Sequence, residues 1–126
     1  MLPNARDLGR RAEEYAAGYV ASLGWRVEGR NVANRYGEID ILAMDHESRE
    51  LVLIEVRCRT IGETQSPLDS VGPRKLRALV RAGRDLVEKR RWTGFWRIDL
   101  IGITAGRGPW RVEHIRDITA GMDVPT

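Results

Sequence analysis

The chain has 126 residues, of which 42% are apolar, and its formal net charge is +3. This length suits one compact domain rather than two, and the apolar share excludes a globally disordered chain. The single cysteine, Cys58, excludes an internal disulfide and indicates a cytoplasmic setting.

The first predicted element is a helix that begins after Asn4 and ends at Gly24. The Asn4 side chain can cap the helix N-terminus, and Gly24 is a common end signal. Between them, the apolar residues at helical spacing are Leu8, Ala12, Tyr15, Ala16, Tyr19, Val20 and Leu23. Glu13 adjoins this apolar stripe. Its carboxylate belongs either to a solvated polar face of the helix or to a functional site.

The middle of the chain is predicted to form three strands. Residues 25–31 alternate in polarity, and a turn at residues 34–37 leads into GEIDILAMD. A polar connection of hairpin length, residues 46–50, separates that run from LVLIEVRCR. Residues 51–54 are apolar on both faces, which is typical of a strand in the middle of a sheet.

A second helix and two further strands complete the prediction. Residues 60–72 form a loop, and Pro73 suits the first turn of the second helix. Strands are expected at residues 95–103 and 110–115, followed by a loose C-terminal tail at residues 117–126. A right-handed crossover through the second helix makes the third and fourth strands parallel. The predicted fold is α/β, with a central mixed sheet of about five strands flanked by helices in the order α-β-β-β-α-β-β.

Three acidic residues of the two central strands are candidate site residues, namely Glu38, Asp40 and Glu55. Period-two spacing puts Glu38 and Asp40 on one strand face, and antiparallel pairing brings Asp40 near Glu55. We expect this pair to share a metal ion at the edge of a cleft between the first helix and the sheet. Two converging buried carboxylates repel each other, and a hard divalent cation removes that cost. Alternatively, Arg57 pairs with Glu55 on the same face as an ordinary ion pair.

The motifs around these residues resemble those of a known family. GEID at residues 37–40, followed by IEVRCR at residues 54–59, is similar to the signature of the YraN-like family of endonuclease-like proteins. That family resembles Holliday-junction resolvases within the PD-(D/E)xK nuclease superfamily. The resemblance runs from about residue 9 to about residue 100, and it implies one restriction-endonuclease-like domain over residues 1–116. The family usually has Lys where this chain has Arg57.

The resemblance implies hydrolysis of phosphodiester bonds in nucleic acid, with Mg²⁺ or Mn²⁺ as cofactor. Asp40 and Glu55 would be catalytic metal ligands, with the Val56 carbonyl and Glu13 as further ligands. Glu13 matches a helical Glu that points into the family's active site. Arg57 would be a catalytic residue that clamps a phosphate oxygen, but unlike Lys it cannot act as a base.

Positive charge is concentrated in the second half of the chain. Residues 74–97 include nine basic and two acidic residues, with arginines every three or four positions along the second helix. Such a face is either solvated or in contact with phosphates. The predicted nucleic-acid-binding residues are Arg59, Arg74, Lys75, Arg77, Arg81 and Arg84. DNA is favoured over RNA as the partner.

Two other functions fit the same residues. A binding module with a nuclease fold would keep the arginine face and use Asp40, Glu55 and Arg57 as a structural charge network. An assembly subunit would use its four tryptophans and the loop for a protein partner, and a homodimer is also allowed. Core or partner packing is favoured over base stacking for the tryptophans. The sequence has neither a signal-peptide pattern nor a bilayer-length apolar run, so no membrane partner is expected.

Overall fold

The computed structural model describes residues 4–120, which are built around one five-stranded sheet. The elements are α1 (Ala5–Ser22), β1 (Arg26–Asn34), β2 (Gly37–Asp45), β3 (Glu50–Thr60), α2 (Pro73–Lys89), β4 (Trp96–Ala105) and β5 (Arg111–Ile115). The strands lie in chain order, and all neighbours are antiparallel except β3 and β4. This confirms the predicted α/β fold, its order of elements and its one parallel pairing.

The two helices cover opposite faces of the sheet. Ala12 and Ala16 of α1 pack on one face, in an apolar group that we call the α1 cluster. Leu79 and Leu86 of α2 pack on the other face, in the α2 cluster. Since β3 lies between both clusters, residues 51–54 are buried on both of its sides.

A buried charge network lies at the start of β4. Arg97 pairs with Asp45, Glu50 and Asp99 at 3.4, 2.9 and 2.9 Å. Asp99 Oδ2 also lies 2.8 Å from His114 Nε2, which ties β5 to β4. Burial alone would raise the pKa of Asp99, but hydrogen bonds from His114 and Arg97 bring that pKa below its usual value.

The first residues of the predicted tail are attached to β4. The Asp117 N–H donates to Asp99 Oδ1 at 3.0 Å, and the Ile118 N–H donates to the Ile98 carbonyl at 2.8 Å. Residues 121–126 of the predicted tail, and residues 1–3 of the predicted domain, lie outside the described residues.

Candidate metal centre

β2 and β3 separate from each other at the two residues that were predicted to bind metal. Their ladder ends at the pair Ile41 and Ile54. Beyond it, β3 pairs only with β4, and β2 pairs only with β1. Asp40 and Glu55 are the next residues of the two strands, so they lie where the strands diverge. We call this place the strand fork.

Asp40 continues the interaction of β2 with β3 beyond the end of the ladder. Its Oδ2 accepts a hydrogen bond from the Val56 N–H at 2.8 Å. Since the N–H and C=O of a strand residue point toward the same neighbour, the Val56 carbonyl also faces the fork. Burial, and after it the Glu55 carboxyl, raise the pKa of Asp40 to about 7 against the lowering effect of this hydrogen bond. The two carboxyl groups therefore interact across the fork.

Glu55 is nearly buried and has two cations beside one oxygen. Its side chain is 5% exposed, and its Oε2 lies 3.0 Å from Arg57 Nη2 and 3.6 Å from Lys75 Nζ. Lys75 belongs to the first turn of α2, so Glu55 lies on the α2 side of the sheet. The prediction that the site lies in a cleft between α1 and the sheet is therefore wrong. The side chains of Ile54 and Val56, on either side of Glu55 in the strand, point toward α1, so that of Glu55 points away from it.

The regular alternation of β2 breaks at Asp40. Ile39 packs in the α2 cluster and Ile41 in the α1 cluster, although they are only two residues apart. The prediction that Glu38 and Asp40 share one strand face is therefore wrong. Across from Asp40 on β1, Asn31 has a φ of 50°. This left-handed conformation interrupts the pleat, and few residues other than glycine adopt it.

Asn31 also joins two further carboxylates. Its Nδ2 donates to Glu13 Oε1 at 2.7 Å and to Glu38 Oε1 at 2.9 Å. Glu13 is thus held beside Glu38, whose charge contributes to the raised pKa of Asp40. Within residues 4–120, no three His, Cys, Asp or Glu side chains gather closely enough to bind one ion. The structure therefore does not bring Glu13 into one ligand group with Asp40 and Glu55.

Arg59 holds the loop that follows β3. Its Nε donates to Thr104 Oγ1 at 3.0 Å, and its Nη1 donates to the Gln65 carbonyl at 2.7 Å. In the same loop, Pro67 packs on Gly102 of β4 so closely that a side chain there would overlap the proline ring. The loop is thus fixed against the sheet, and contact between Arg59 and a phosphate stays a prediction.

The basic residues of α2 begin next to the strand fork. Of the four arginines in this helix, Arg74, Arg77 and Arg81 are exposed to solvent. Lys75 instead points to Glu55, and Arg84 is half-buried beside a concavity that Arg35 and Tyr36 also line. The six basic residues predicted to bind nucleic acid therefore do not form one uniform surface.

Comparison with known sequences places the chain in a family. The profile of the uncharacterised protein family UPF0102 matches residues 12–103. The chain belongs to this family. UPF0102 proteins of Marinobacter nauticus, Anaeromyxobacter dehalogenans and Herpetosiphon aurantiacus are 42%, 40% and 35% identical to it. These matches cover 90%, 85% and 94% of this chain, and 92%, 79% and 98% of the relatives' own lengths.

UPF0102 membership confirms the YraN-like resemblance that the GEID and IEVRCR motifs predicted. The family match begins in α1 just before Glu13 and ends in β4, so it includes the strand fork and α2. Among the described residues, neither helix combines the length and apolar character that crossing a bilayer requires.

Two features of the fork were missed in the sequence. The sequence pattern predicts Asn31 as the last residue of a strand, and no spacing rule indicates that it bonds Glu13 and Glu38. The position of Lys75 against Glu55 was also not predicted, and its contact with nucleic acid stays a prediction. The four tryptophans pack in the α1 and α2 clusters, as the favoured interpretation predicted.

Proposed function

We propose that this protein is a metal-dependent endonuclease that hydrolyses phosphodiester bonds in nucleic acid, with branched or structured DNA as the preferred substrate. The observation that carries the proposal is the strand fork, where Asp40 and Glu55 converge beside Arg57 and Lys75. Such a reaction needs carboxylates that bind a metal ion and cations that stabilise the phosphate. The resemblance of the motifs to PD-(D/E)xK nucleases supports the same chemistry.

The donor set of the fork fits Mg²⁺ or Mn²⁺. These ions prefer oxygen ligands, and Mg²⁺ keeps several waters, so few protein ligands suffice. Asp40, Glu55 and the Val56 carbonyl would hold the ion. The Asp40 pKa of about 7, which reflects burial first and the nearby Glu55 carboxyl second, supports this assignment, because a cation would offset the cost of ionising Asp40. When bound, such an ion lowers the pKa of a coordinated water and offsets charge on the scissile phosphate.

Arg57 and Lys75 would act on the substrate phosphate. Their side chains are 33% and 40% exposed, so both combine contact with buried Glu55 and access to a ligand. Arg57 stays protonated and cannot take a proton from water. Its planar guanidinium can bind two phosphate oxygens at once, which stabilises the charge that develops during hydrolysis.

The same ion pairs favour a second candidate, a nucleic-acid-binding module without turnover. In that case Arg57 and Lys75 would neutralise Glu55 permanently, and no metal ion would be needed. The presence of Arg57 where the family usually has Lys supports this candidate. Metal binding at Asp40 and Glu55 distinguishes the two functions.

Cleavage assays with Mn²⁺ test the proposed activity directly. We expect the wild type to cleave branched DNA slowly, and Glu55→Gln to lose at least about 100-fold in rate because a metal ligand is lost. Single-stranded DNA and RNA provide the comparison substrates. Equal cleavage by wild type and Glu55→Gln, or no cleavage of any substrate, would contradict the nuclease proposal and favour the binding module.

The exposed arginines of α2 should determine how binding depends on salt. Replacing Arg77 and Arg81 together with Gln should weaken DNA binding and reduce the slope of log affinity against log salt by about two, since each phosphate contact contributes about 0.9. Fluorescence anisotropy at several salt concentrations measures this slope. The matched control replaces Arg107 and Arg111, two exposed arginines near β5, with Gln. Equal slopes for the two double variants would show that the α2 face is only solvated.

A further inference from the structure

The tip of the β1–β2 hairpin lies against α2 and encloses a concavity with it. Asn34 Nδ2 donates to the Ala82 carbonyl at 3.0 Å, and Asn34 Oδ1 accepts a hydrogen bond from the Tyr36 N–H at 3.0 Å. The side chain of Tyr36 packs against the α2 cluster. The hairpin turn is therefore attached to the helix, and the concavity between them has a volume of about 430 Å³.

Three arginines line this concavity, which we call the arginine cleft. Arg35 belongs to the hairpin turn, whereas Arg81 and Arg84 belong to α2. Within residues 4–120, no carboxylate forms an ion pair with any of the three. Their guanidinium groups repel one another, so an anion bound among them would lower the free energy of the cleft.

The acidic residues of the arginine cleft do not neutralise these arginines. Asp85 and Glu88 complete its lining together with Tyr36. Lys89 Nζ lies 2.9 Å from Asp85 Oδ2 and offsets the charge of that carboxylate, and Glu88 is exposed to solvent. In the described part of the chain, the three arginines thus outnumber the one lining carboxylate that has no ion pair.

Arg35 is held in a conformation that suits phosphate binding. Its guanidinium carbon lies 4.7 Å from the centre of the Tyr36 ring, and its Nη2 donates to the Tyr36 hydroxyl. A guanidinium carries five N–H donors, so those that Tyr36 does not use can bind two oxygens of one phosphate. Because the stacked side chain is already ordered, it loses less conformational entropy when a ligand binds.

The arginine cleft lies near the strand fork and on the same side of the sheet. Gly37, which follows the hairpin turn, is three positions from Asp40, so their Cα atoms are at most about 11 Å apart. One strand of DNA spans that distance with about three nucleotides. Glu55 also lies on the α2 side, since Lys75 of α2 pairs with it. A nucleic-acid strand bound at the fork can therefore reach the cleft.

We propose that the arginine cleft binds a backbone phosphate of the nucleic-acid substrate, about three nucleotides from the phosphate at the strand fork. The inference rests on the proposed function and adds Arg35, which neither the sequence motifs nor the basic face of α2 indicates. Phosphate contacts fix the position of a nucleic-acid strand and carry no sequence information. The cleft would therefore set the position of the strand relative to Asp40 and Glu55.

The test is DNA binding by the full chain in the presence of a chelator, so that binding is measured without cleavage. Fluorescence anisotropy of a labelled branched DNA gives the dissociation constant. Arg35→Gln should weaken binding about tenfold, because a charge-assisted contact is lost. Arg35→Lys should weaken it nearly as much, since an ammonium keeps the charge but lacks the planar fork of donors.

A second arginine of the cleft shows whether one phosphate is shared. The double variant of Arg35→Gln and Arg84→Gln should lose less affinity than the two single effects predict together, because both arginines contact the same group. Arg107→Gln and Arg107→Lys are the matched controls. They change an exposed arginine in the turn before β5, and both should bind DNA like the wild type.

The outcomes separate the arginine cleft from the nuclease activity. Wild-type affinity in Arg35→Gln, full recovery in Arg35→Lys, or independent losses in the double variant would overturn the cleft, while Mn²⁺-dependent cleavage would still support the nuclease. Arg35-dependent binding by a wild type that cleaves no substrate would support the phosphate site and contradict the nuclease. Absence of DNA binding by the wild type would overturn both.

Discussion

Replacing Asp40 with Asn should make the metal-free protein more stable at pH 8, by roughly 2–4 kcal/mol in the free energy of unfolding. Burial, together with the neighbouring Glu55 carboxyl, raises the pKa of Asp40 from 3.8 to about 7, so ionising Asp40 in the folded chain is unfavourable. An Asn side chain carries no charge, and its oxygen can still accept the hydrogen bond from Val56. The variant therefore keeps the hydrogen bond from Val56 and no longer has the free-energy cost of a buried charge.

The pH dependence of this gain follows from proton binding. Between about pH 4 and pH 7 the folded chain binds more protons at Asp40 than the unfolded chain does, so this group lowers stability as the pH rises. Above about pH 7 both states are ionised, and the cost is constant. Near pH 4 the carboxyl is largely protonated in the folded state, so the variant and the wild type should have nearly equal stability.

Chemical denaturation at pH 4 and pH 8, in the presence of a chelator, measures both values. Asp69→Asn is the matched control, since Asp69 is exposed in the loop that follows β3. The free energy of unfolding of this variant should equal that of the wild type at pH 4 and at pH 8. A stability gain in Asp40→Asn that is the same at pH 4 and pH 8 would contradict a buried, raised-pKa carboxyl at the fork.

Replacing Arg57 with Met should lower Mn²⁺-dependent cleavage about 100-fold or more, while Mn²⁺ affinity changes little. Arg57 is not a metal ligand, and a donor that stabilises developing charge commonly accounts for a factor of 100 to 1,000 in rate. The fold should survive, because Lys75 still lies 3.6 Å from Glu55 and keeps that buried carboxylate paired. Arg57→Lys should keep or raise cleavage, since it restores the family's usual residue.

Cleavage rates and Mn²⁺ titrations, measured on the same protein preparations, separate an effect on catalysis from an effect on metal binding. Arg107→Met, which changes an exposed arginine in the turn before β5, should match the wild type in both. If Arg57→Met cleaves as fast as the wild type, Arg57 is only the structural partner of Glu55. Loss of Mn²⁺ binding in Arg57→Met would instead show that it organises the metal ligands.

Local patterns were sufficient to predict the elements and the central hairpin. Alternating and fully apolar runs define β2 and β3, and their short connection sets the register that places Asp40 near Glu55. Asn4 and Pro73 mark helix N-termini by local features, and both helices begin where these residues indicate. Such features depend on neighbours in sequence, so they are readable without the fold.

The rest of the site depends on contacts between distant segments. The period of two breaks in β2 between Ile39 and Ile41, opposite the left-handed backbone of Asn31 in β1, so the predicted faces of Glu38 and Asp40 are wrong. The approach of Lys75 to Glu55 depends on how the loop lies on β4. The spacing of residues along the chain predicts neither where a strand bends nor where a loop packs.

Calorimetric titration of the wild type and Glu55→Gln with Mn²⁺ at pH 8 tests the account most directly. At this pH Asp40, with a pKa of about 7, is mostly ionised beside the nearly buried Glu55, so a cation at the fork would offset the cost of its charge. The account predicts saturable Mn²⁺ binding by the wild type and its loss in Glu55→Gln. No binding by the wild type, or equal binding by both proteins, would contradict a metal centre at the strand fork.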